Sequence, residues 1–418
     1  MEWVRAVTQS KGFDVDVAIS GGGPVGLCLA LLLARRGISV HLVEIATGID
    51  EDLRASTFHP PTLDFLDRLG VTEKMLAQGL LCPHWQIRMH PSGERAVFDL
   101  SVLKNDTNHP YRLQCEQWKL SRILDAMLQD EDLVTITRGY KAVDMAQDAD
   151  AVTLSIGPVS EDSEIIPIRA RHVVGADGAH SFVRKALGMD FEGFTYPETT
   201  ILATTLFPFE EHLPGISNVS YCWKPGGNFA LLKVPGRWRV SIYPDENLSL
   251  EEQMTPEAIE RSLQDIVPKA EPYEVLELRP YRVHQRIVDS YTSGRVALTG
   301  DAAHLNTPSG GMGLNGGLQD AFGLADALED ILQKGADHEA RFKRYSDSRL
   351  PVARDQILAQ AHANRNRMLE RDPERRRKSL ADLIAITEDR EKLYTHLLRS
   401  SMITGLRQSG QLPMPASA

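Results

Sequence analysis

Val15-Asp16-Val17-Ala18-Ile19-Ser20-Gly21-Gly22-Gly23-Pro24-Val25-Gly26, followed by Leu27-Cys28-Leu29-Ala30-Leu31-Leu32-Leu33-Ala34, is the stretch that decides the fold. A short apolar strand runs into a glycine turn, and an apolar helix leaves it. The spacing is G-x-G-x-x-G in a strand–turn–helix context. Gly21 permits the tight turn, Gly23 lets backbone approach a pyrophosphate, and Gly26 lets helix pack on strand. The anion would sit at the positive helix end against free N–H groups, which makes Pro24 and Val25 cofactor-binding positions too. A second strand over 38–43 ends in Glu44. A carboxylate there accepts hydrogen bonds from both hydroxyls of an adenosine ribose and disfavours a 2′-phosphate. Strand, glycines, helix, strand and acid together read as an ADP-binding unit.

The chain has 418 residues, enough for one large or two modest domains. Its 42% hydrophobic and 25% charged content is ordinary for a soluble globular protein. A net charge of −11 argues against nucleic acid and anionic membrane surfaces as partners. Cys28, Cys82, Cys115 and Cys222 show no metal-binding spacing and read as reduced thiols of a cytoplasmic protein. The apolar run 27–34 is too short to span a bilayer.

Strands are expected at Leu133–Thr137, Ala151–Ile156, Glu164–Ile168 and His172–Gly175. Residues 191–244 are strand-rich, with Pro235-Gly236 as a hairpin turn between Phe229–Val234 and Arg237–Tyr243. From about Asp337 the pattern is helical and charged. The basic run Arg371-Asp372-Pro373-Glu374-Arg375-Arg376-Arg377-Lys378 is mixed with acids and reads as a solvated face or dimer edge.

Two further motifs follow. In the first, the apolar run His172–Gly175 leads into Asp177-Gly178, with Ser181 and Arg184 after it on a short helix. A bland Asp-Gly turn with a capping serine would look the same. In the second, Arg295–Thr299 delivers Gly300-Asp301, a loop turns at Pro308, and a long helix starts near Gly313-Leu314-Asn315. Asp301 is placed to hydrogen-bond a polyol, and the helix start offers N–H groups to an anionic ring edge. A helix cap alone does not need six glycines between Gly300 and Gly317.

In this order, spread over residues 15–327, the three motifs resemble the single-component flavoprotein monooxygenases of the aromatic hydroxylase type, with the para-hydroxybenzoate hydroxylase fold. The resemblance implies an α/β protein. A Rossmann-like FAD-binding domain of the glutathione-reductase type (13–83, 109–190 and 281–350) would carry an inserted β-sheet substrate domain (84–108 and 191–280). C-terminal helices would cover 351–408, and 1–12 and 409–418 would be loose. It implies FAD, reduced by NADPH or NADH, and O2, with a flavin C4a-hydroperoxide hydroxylating a phenolic or hydroxypyridine-type substrate. Same-fold alternatives are oxidative decarboxylation, epoxidation, Baeyer–Villiger oxygenation, a non-oxygenating reductase and a redox sensor. A monomer or homodimer without nucleic-acid or membrane partners is expected. Carried over by motif, Gly21, Gly23, Gly26 and Glu44 hold ADP, and Arg54 reaches the pyrophosphate or ribityl region. Gln117 binds ribityl, with Gln114 the lesser candidate. Asp177 supports FAD and pyridine-nucleotide handling, braced by Arg184. Asp301 takes the ribityl hydroxyls and Leu314-Asn315 the flavin O2. The Pro308 carbonyl faces substrate. One departure is Met312, where many members carry Gln.

The substrate residues are less determined. Alternation puts Arg237, Arg239, Ser241 and Tyr243 on one strand face and Trp238, Val240 and Ile242 on the other. With the polar face inward, Arg239 clamps a carboxylate and Arg237 touches the flavin. With the apolar face inward, both arginines are solvated. Tyr221, Trp223 and Tyr196 are candidates for ring packing or a phenol relay, with ordinary core packing as the alternative. His304 and His284 are candidate bases, with a structural histidine as the alternative for each.

Overall fold

The computed structural model describes residues 12–52, 54–160, 164–243 and 248–414; most of the expected loose leader, and the tail from 415, lie outside them. Val15–Ser20 pairs in parallel with Val40–Glu44 on one side and Ile166–Gly175 on the other. Val134–Arg138 and Val296–Leu298 extend this parallel sheet at its two ends. Parallel strands are covered on both faces, so they read as continuous apolar runs; Val17, Ala18 and Ile19 are fully buried. The helices Pro24–Ala34, Gln117–Leu128 and Gly313–Leu332 pack together beside this sheet.

The expected strands 164–168 and 172–175 are one strand, Ile166–Gly175. Its first half pairs antiparallel with Val152–Pro158, and its second half joins the parallel sheet. Nothing in Arg169-Ala170-Arg171 breaks a strand, so one element serves both layers.

A second eight-stranded sheet holds, in spatial order, His304–Leu305, Val275–Ile287, Glu192–Thr205, Arg237–Ile242, Gly227–Val234, Val219–Lys224, His84–Met89 and Arg95–Asp99. Val234 pairs with Arg237 across the two-residue turn Pro235-Gly236, where Gly236 has φ 75°. The strand 275–287 stays in this sheet to Ile287, so the chain rejoins the cofactor sheet after that point, beyond the expected 281.

One face of this sheet is apolar. Ile201, Phe229, Trp238, Val240 and Ile242 pack with Phe209, Ile259 and Leu263 from short outer helices. By alternation the opposite face carries Tyr221, Arg239, Ser241 and Tyr281. Part of that face is closed by C-terminal helices: Leu380 and Leu383 of Pro373–Glu388 and Leu393 and Leu397 of Arg390–Ser400 pack on Trp85, Ile87 and Trp223. The segment after 408 is docked rather than loose as far as it is described. Gln411 donates to the Gln319 carbonyl (2.7 Å) and accepts from Arg349 (2.7 Å).

Candidate active site

The glycine loop is shaped by backbone contact. A Cβ on Gly26 would lie 1.9 Å from the Gly21 carbonyl oxygen, so no side chain fits where helix meets strand. At Gly23 the same Cβ would meet nothing within 4 Å, and this glycine is exposed. The loop is tight where it packs and open where an anion would approach. Glu44 sits across from it, accepting from the Gly22 N–H (2.5 Å) and the Ala46 N–H (2.8 Å).

Asp177 caps the next turn. Its Oδ2 accepts from the Phe182 and Val183 N–H groups (2.8 and 3.1 Å), while Oδ1 is buried without a partner among the described residues. Burial raises its pKa; the helix N–H groups and Ser181 pull the other way. Arg184 is buried and donates to the carbonyls of Ala302 and Ala179 (both 2.9 Å), with Phe191 stacked beneath it. It is therefore a brace between the Asp177 and Asp301 motifs rather than a ligand contact.

The Gly300–Gly317 segment follows Val296–Leu298 of the first sheet and carries His304–Leu305 of the second. A Cβ on Gly317 would fall 2.9 Å from Val25 and 3.0 Å from the Gly300 Cα, so this helix is pressed onto the cofactor helix. Asp301 is solvent-accessible yet set deep among protein atoms. That position raises its pKa, opposed by His304 and Arg54. Arg54 is itself exposed and pairs with Asp52 (2.7 Å). The side chain of Asn315 is fully buried and spent on structure, donating to the Thr57 and Gly311 carbonyls and accepting from the His59 N–H. Only the first-turn N–H groups at Gly313, Leu314 and Asn315 remain for a ligand. Gln114 is likewise spent, on Ser56 and Thr57. The half-buried Gln117 side chain has no hydrogen bond among the described residues.

His304 is not placed to act as a base. It is fully buried, its Nε2 lies 2.8 Å from Asp320, and Asp320 in turn pairs with Arg349 (2.6 Å). This His304–Asp320–Arg349 chain ties the Asp301 loop to two helices. His284 lies on the strand Val275–Ile287 and bonds to Thr195 (2.9 Å). Tyr196 bonds to Gln285 (2.7 Å) and His362 (2.5 Å).

Beside Ser309, Gly310 and Met312 lies a cavity of ≈ 200 Å³. Trp85, Ile87 and Tyr221 contribute from the second sheet and Met368 from a C-terminal helix. Its charged and titratable lining is Arg112, Arg367, Arg399, His396 and Tyr221, with no carboxylate. His396 stacks on Phe98 (4.9 Å); burial, then Arg367, Arg112 and Arg399, push its pKa down to about 4. No local sequence signal marks Arg367 or His396, which lie on charged C-terminal helices. Arg112, a cation inside the buried run Leu113-Gln114-Cys115, was a readable anomaly.

The chain matches the FAD binding domain family over residues 14–360. It belongs to that family. It is 34% identical to para-nitrophenol 4-monooxygenase of a Pseudomonas species, over 94% of this chain and 96% of the relative. It is 36% identical to 6-hydroxy-3-succinoylpyridine 3-monooxygenase of Pseudomonas putida, over 76% and 80%. A solved p-nitrophenol 4-monooxygenase from Pseudomonas putida superposes with TM-score 0.86 at 32% identity, covering 94% of this chain and 98% of that one. The protein is an FAD-dependent monooxygenase of the aromatic hydroxylase type, using NAD(P)H and O2.

The residues of this flavoprotein fit FAD. Gly23 is open, Glu44 faces the loop, the Gln117 amide has no hydrogen bond among the described residues, and Asp301 is accessible. Among the expected substrate residues, Tyr221 lines the cavity, and Pro308 is exposed beside Ser309. Trp223 does not line it: it is fully buried and donates to the Arg367 carbonyl (3.1 Å), so it supports the wall from behind. Arg239 is buried on the inward face, near Glu116, with Nε and Nη2 unpartnered among the described residues. Arg237 stands half-buried at the strand start. Neither arginine is part of the cavity lining.

Proposed function

We propose that this monooxygenase hydroxylates a single-ring phenol or hydroxypyridine held in the cavity beside Ser309 and Gly310. The observation that carries it is that cavity: ≈ 200 Å³, aromatic and aliphatic walls, and cations without carboxylates. About 150 Å³ suffices for benzene, so the cavity has room for one substituted ring. The relatives named for p-nitrophenol and 6-hydroxy-3-succinoylpyridine point to the same substrate size.

FAD, when bound, supplies the oxygen-activating chemistry. The protein's residues do the rest. Glu44, Gln117 and Asp301 would hold ADP and ribityl hydroxyls as acceptors and donors. Backbone N–H groups of the loop Gly21–Gly26 would take the pyrophosphate, and those at Leu314-Asn315 the flavin O2. Trp85, Ile87 and Met312 exclude water around the ring, which protects a reactive oxidant from wasteful decay. The Pro308 carbonyl and the Tyr221 hydroxyl orient the ring, and Arg239 acts from the adjoining inner face. Among the described residues no helix is long and apolar enough to cross a membrane. All four cysteines are buried free thiols, which supports a reducing, cytoplasmic setting for a monomer or homodimer.

Purified FAD-loaded protein, given NADH or NADPH and a panel of single-ring phenols and hydroxypyridines, tests this. Substrate-stimulated oxygen uptake with a product one oxygen atom heavier is expected. Stimulation only by fused polycyclic phenols would overturn the size argument.

A further inference from the structure

We propose that Arg112 and Arg367 form an anion subsite that holds the ionised oxygen of the aromatic substrate, so that a phenol binds there as its phenolate. The inference rests on the substrate class proposed above.

The subsite is visible as cations without carboxylate partners among the described residues. Arg112 is 2% exposed, and its Nε and Nη1 have no hydrogen-bond partner among the described residues. Its neighbours of opposite tendency are the Tyr221 hydroxyl and the Cys82 thiol, not a carboxylate. Arg367 donates to the Asn364 side chain (3.1 Å) and also has no ion pair among the described residues. Other buried arginines have partners that Arg112 lacks: Arg349 pairs with Asp320, and Arg184 and Arg376 donate to backbone carbonyls. Buried charges are paired or bind a ligand. Two guanidinium groups on one cavity wall, neither in an ion pair among the described residues, therefore point to a ligand that brings the negative charge.

A phenolate oxygen is that charge in the right place. Nearby cations lower the pKa of an acid by stabilising its ionised form. The cavity wall offers no strong base: it has no carboxylate, and burial with three arginines pushes the pKa of His396 down to about 4, which makes its imidazole a weak proton acceptor. The proton therefore leaves to solvent as the phenol enters, and the positive field keeps the ring oxygen ionised. An electron-rich phenolate ring is the form that attacks an electrophilic oxygen. An aromatic carboxylate offers the same anionic oxygen to the same arginines, and the experiment separates the two sources.

The FAD-loaded protein, without NAD(P)H, is titrated with p-nitrophenol between about pH 5 and 9. The ligand's own absorbance reports its ionisation. The methyl ether p-nitroanisole and the carboxylate p-nitrobenzoate are the comparison ligands. Bound p-nitrophenol is expected to ionise about one pH unit or more below the free compound. The ether is expected to bind about tenfold more weakly. Arg367→Gln should remove that preference and the ionisation shift while leaving the ether's affinity and the FAD content unchanged. Arg367→Lys, which keeps the charge, should retain part of both. Tight p-nitrobenzoate binding that displaces p-nitrophenol and is lost in Arg367→Gln would assign the subsite to carboxylates instead of phenolates. Equal binding of phenol and ether, an unshifted ionisation, or no change in Arg367→Gln would overturn the subsite. So would absence of binding by all three ligands, whereas oxygen uptake, read separately, decides the monooxygenase substrate class.

Discussion

The cofactor cradle and the aromatic cavity meet in the Gly300–Gly317 segment and are built from opposite materials. The cradle presents backbone N–H groups and three carboxylates: Glu44, Asp177 and Asp301. The cavity presents Arg112, Arg367 and Arg399 and no carboxylate. A ligand that is rich in hydroxyls needs acceptors, and its phosphates are met by neutral backbone dipoles rather than by cations. A small anionic ring needs cations and dry walls. Two aspartates on the joining segment show how the molecule keeps such roles apart. Asp301 is accessible, in no ion pair among the described residues, and its pKa is raised by the surrounding protein. Asp320 is wholly buried; burial pushes its pKa up, but Arg349 and His304 overcome this and hold it low. One carboxylate stays accessible, and the other closes a structural network.

Substitution at the two aspartates should therefore fail differently. Asp320→Ala leaves Arg349 buried without its partner, and breaking such a pair costs about 3–5 kcal/mol. The expected result is a large loss of stability in thermal or urea unfolding, present with and without FAD. Unchanged unfolding would mean that the His304–Asp320–Arg349 chain does not hold the joining segment. Asp301→Ala removes an accessible group, so the apoprotein should unfold as the parent does. FAD affinity should fall roughly tenfold to a hundredfold, the worth of about 1.5–3 kcal/mol for hydrogen bonds to a charged group. A fully yellow Asp301→Ala protein would remove its ribityl role and blur the contrast between the two aspartates.

The cradle was legible in the sequence because its requirements are local. Backbone contact between Gly21 and Gly26 dictates residue type at fixed spacing within one turn, and Asp177 and Asp301 each follow their own strand. The cavity was not legible, because its wall is gathered from Trp85, Arg112, Tyr221, Ser309, Arg367 and His396. These residues become neighbours only when a sheet inserted in mid-chain meets C-terminal helices. His304 looked like a base because its partner Asp320 lies on the following helix, outside any short motif. Sequence leaves Gln117 and Gln114 both open, because only the tertiary structure shows that the Gln114 amide is engaged by Ser56 and Thr57. The inward face of the strand Arg237–Ile242 was open for the same reason: alternation defines two faces but not which one meets the other domain.

The smallest effect comes from acid, and it samples both regions at once. His172 lies in a strand of the cofactor sheet, His59 bonds to the Gly310 carbonyl in the joining segment (2.8 Å), and His396 lines the cavity. Burial leads in each case. Neighbouring arginines add to it, pushing His172 and His59 to about 3 and His396 to about 4. Each is neutral in the folded protein and titrates at roughly 6.5 when unfolded. The unfolded chain therefore binds more protons below about pH 6.5. The stability of the neutral folded form is complete above that value and is lost progressively as pH falls toward the folded values. Between pH 7 and 6 the loss should stay below about 1 kcal/mol per histidine, visible as a small decline in Tm that steepens toward pH 5. His172→Gln and His396→Gln should each flatten that decline, the first by easing acid stress on the cofactor sheet and the second by easing it on the cavity. If only His172→Gln flattens it, the cofactor sheet sets acid stability and the cavity wall opens independently of the global transition.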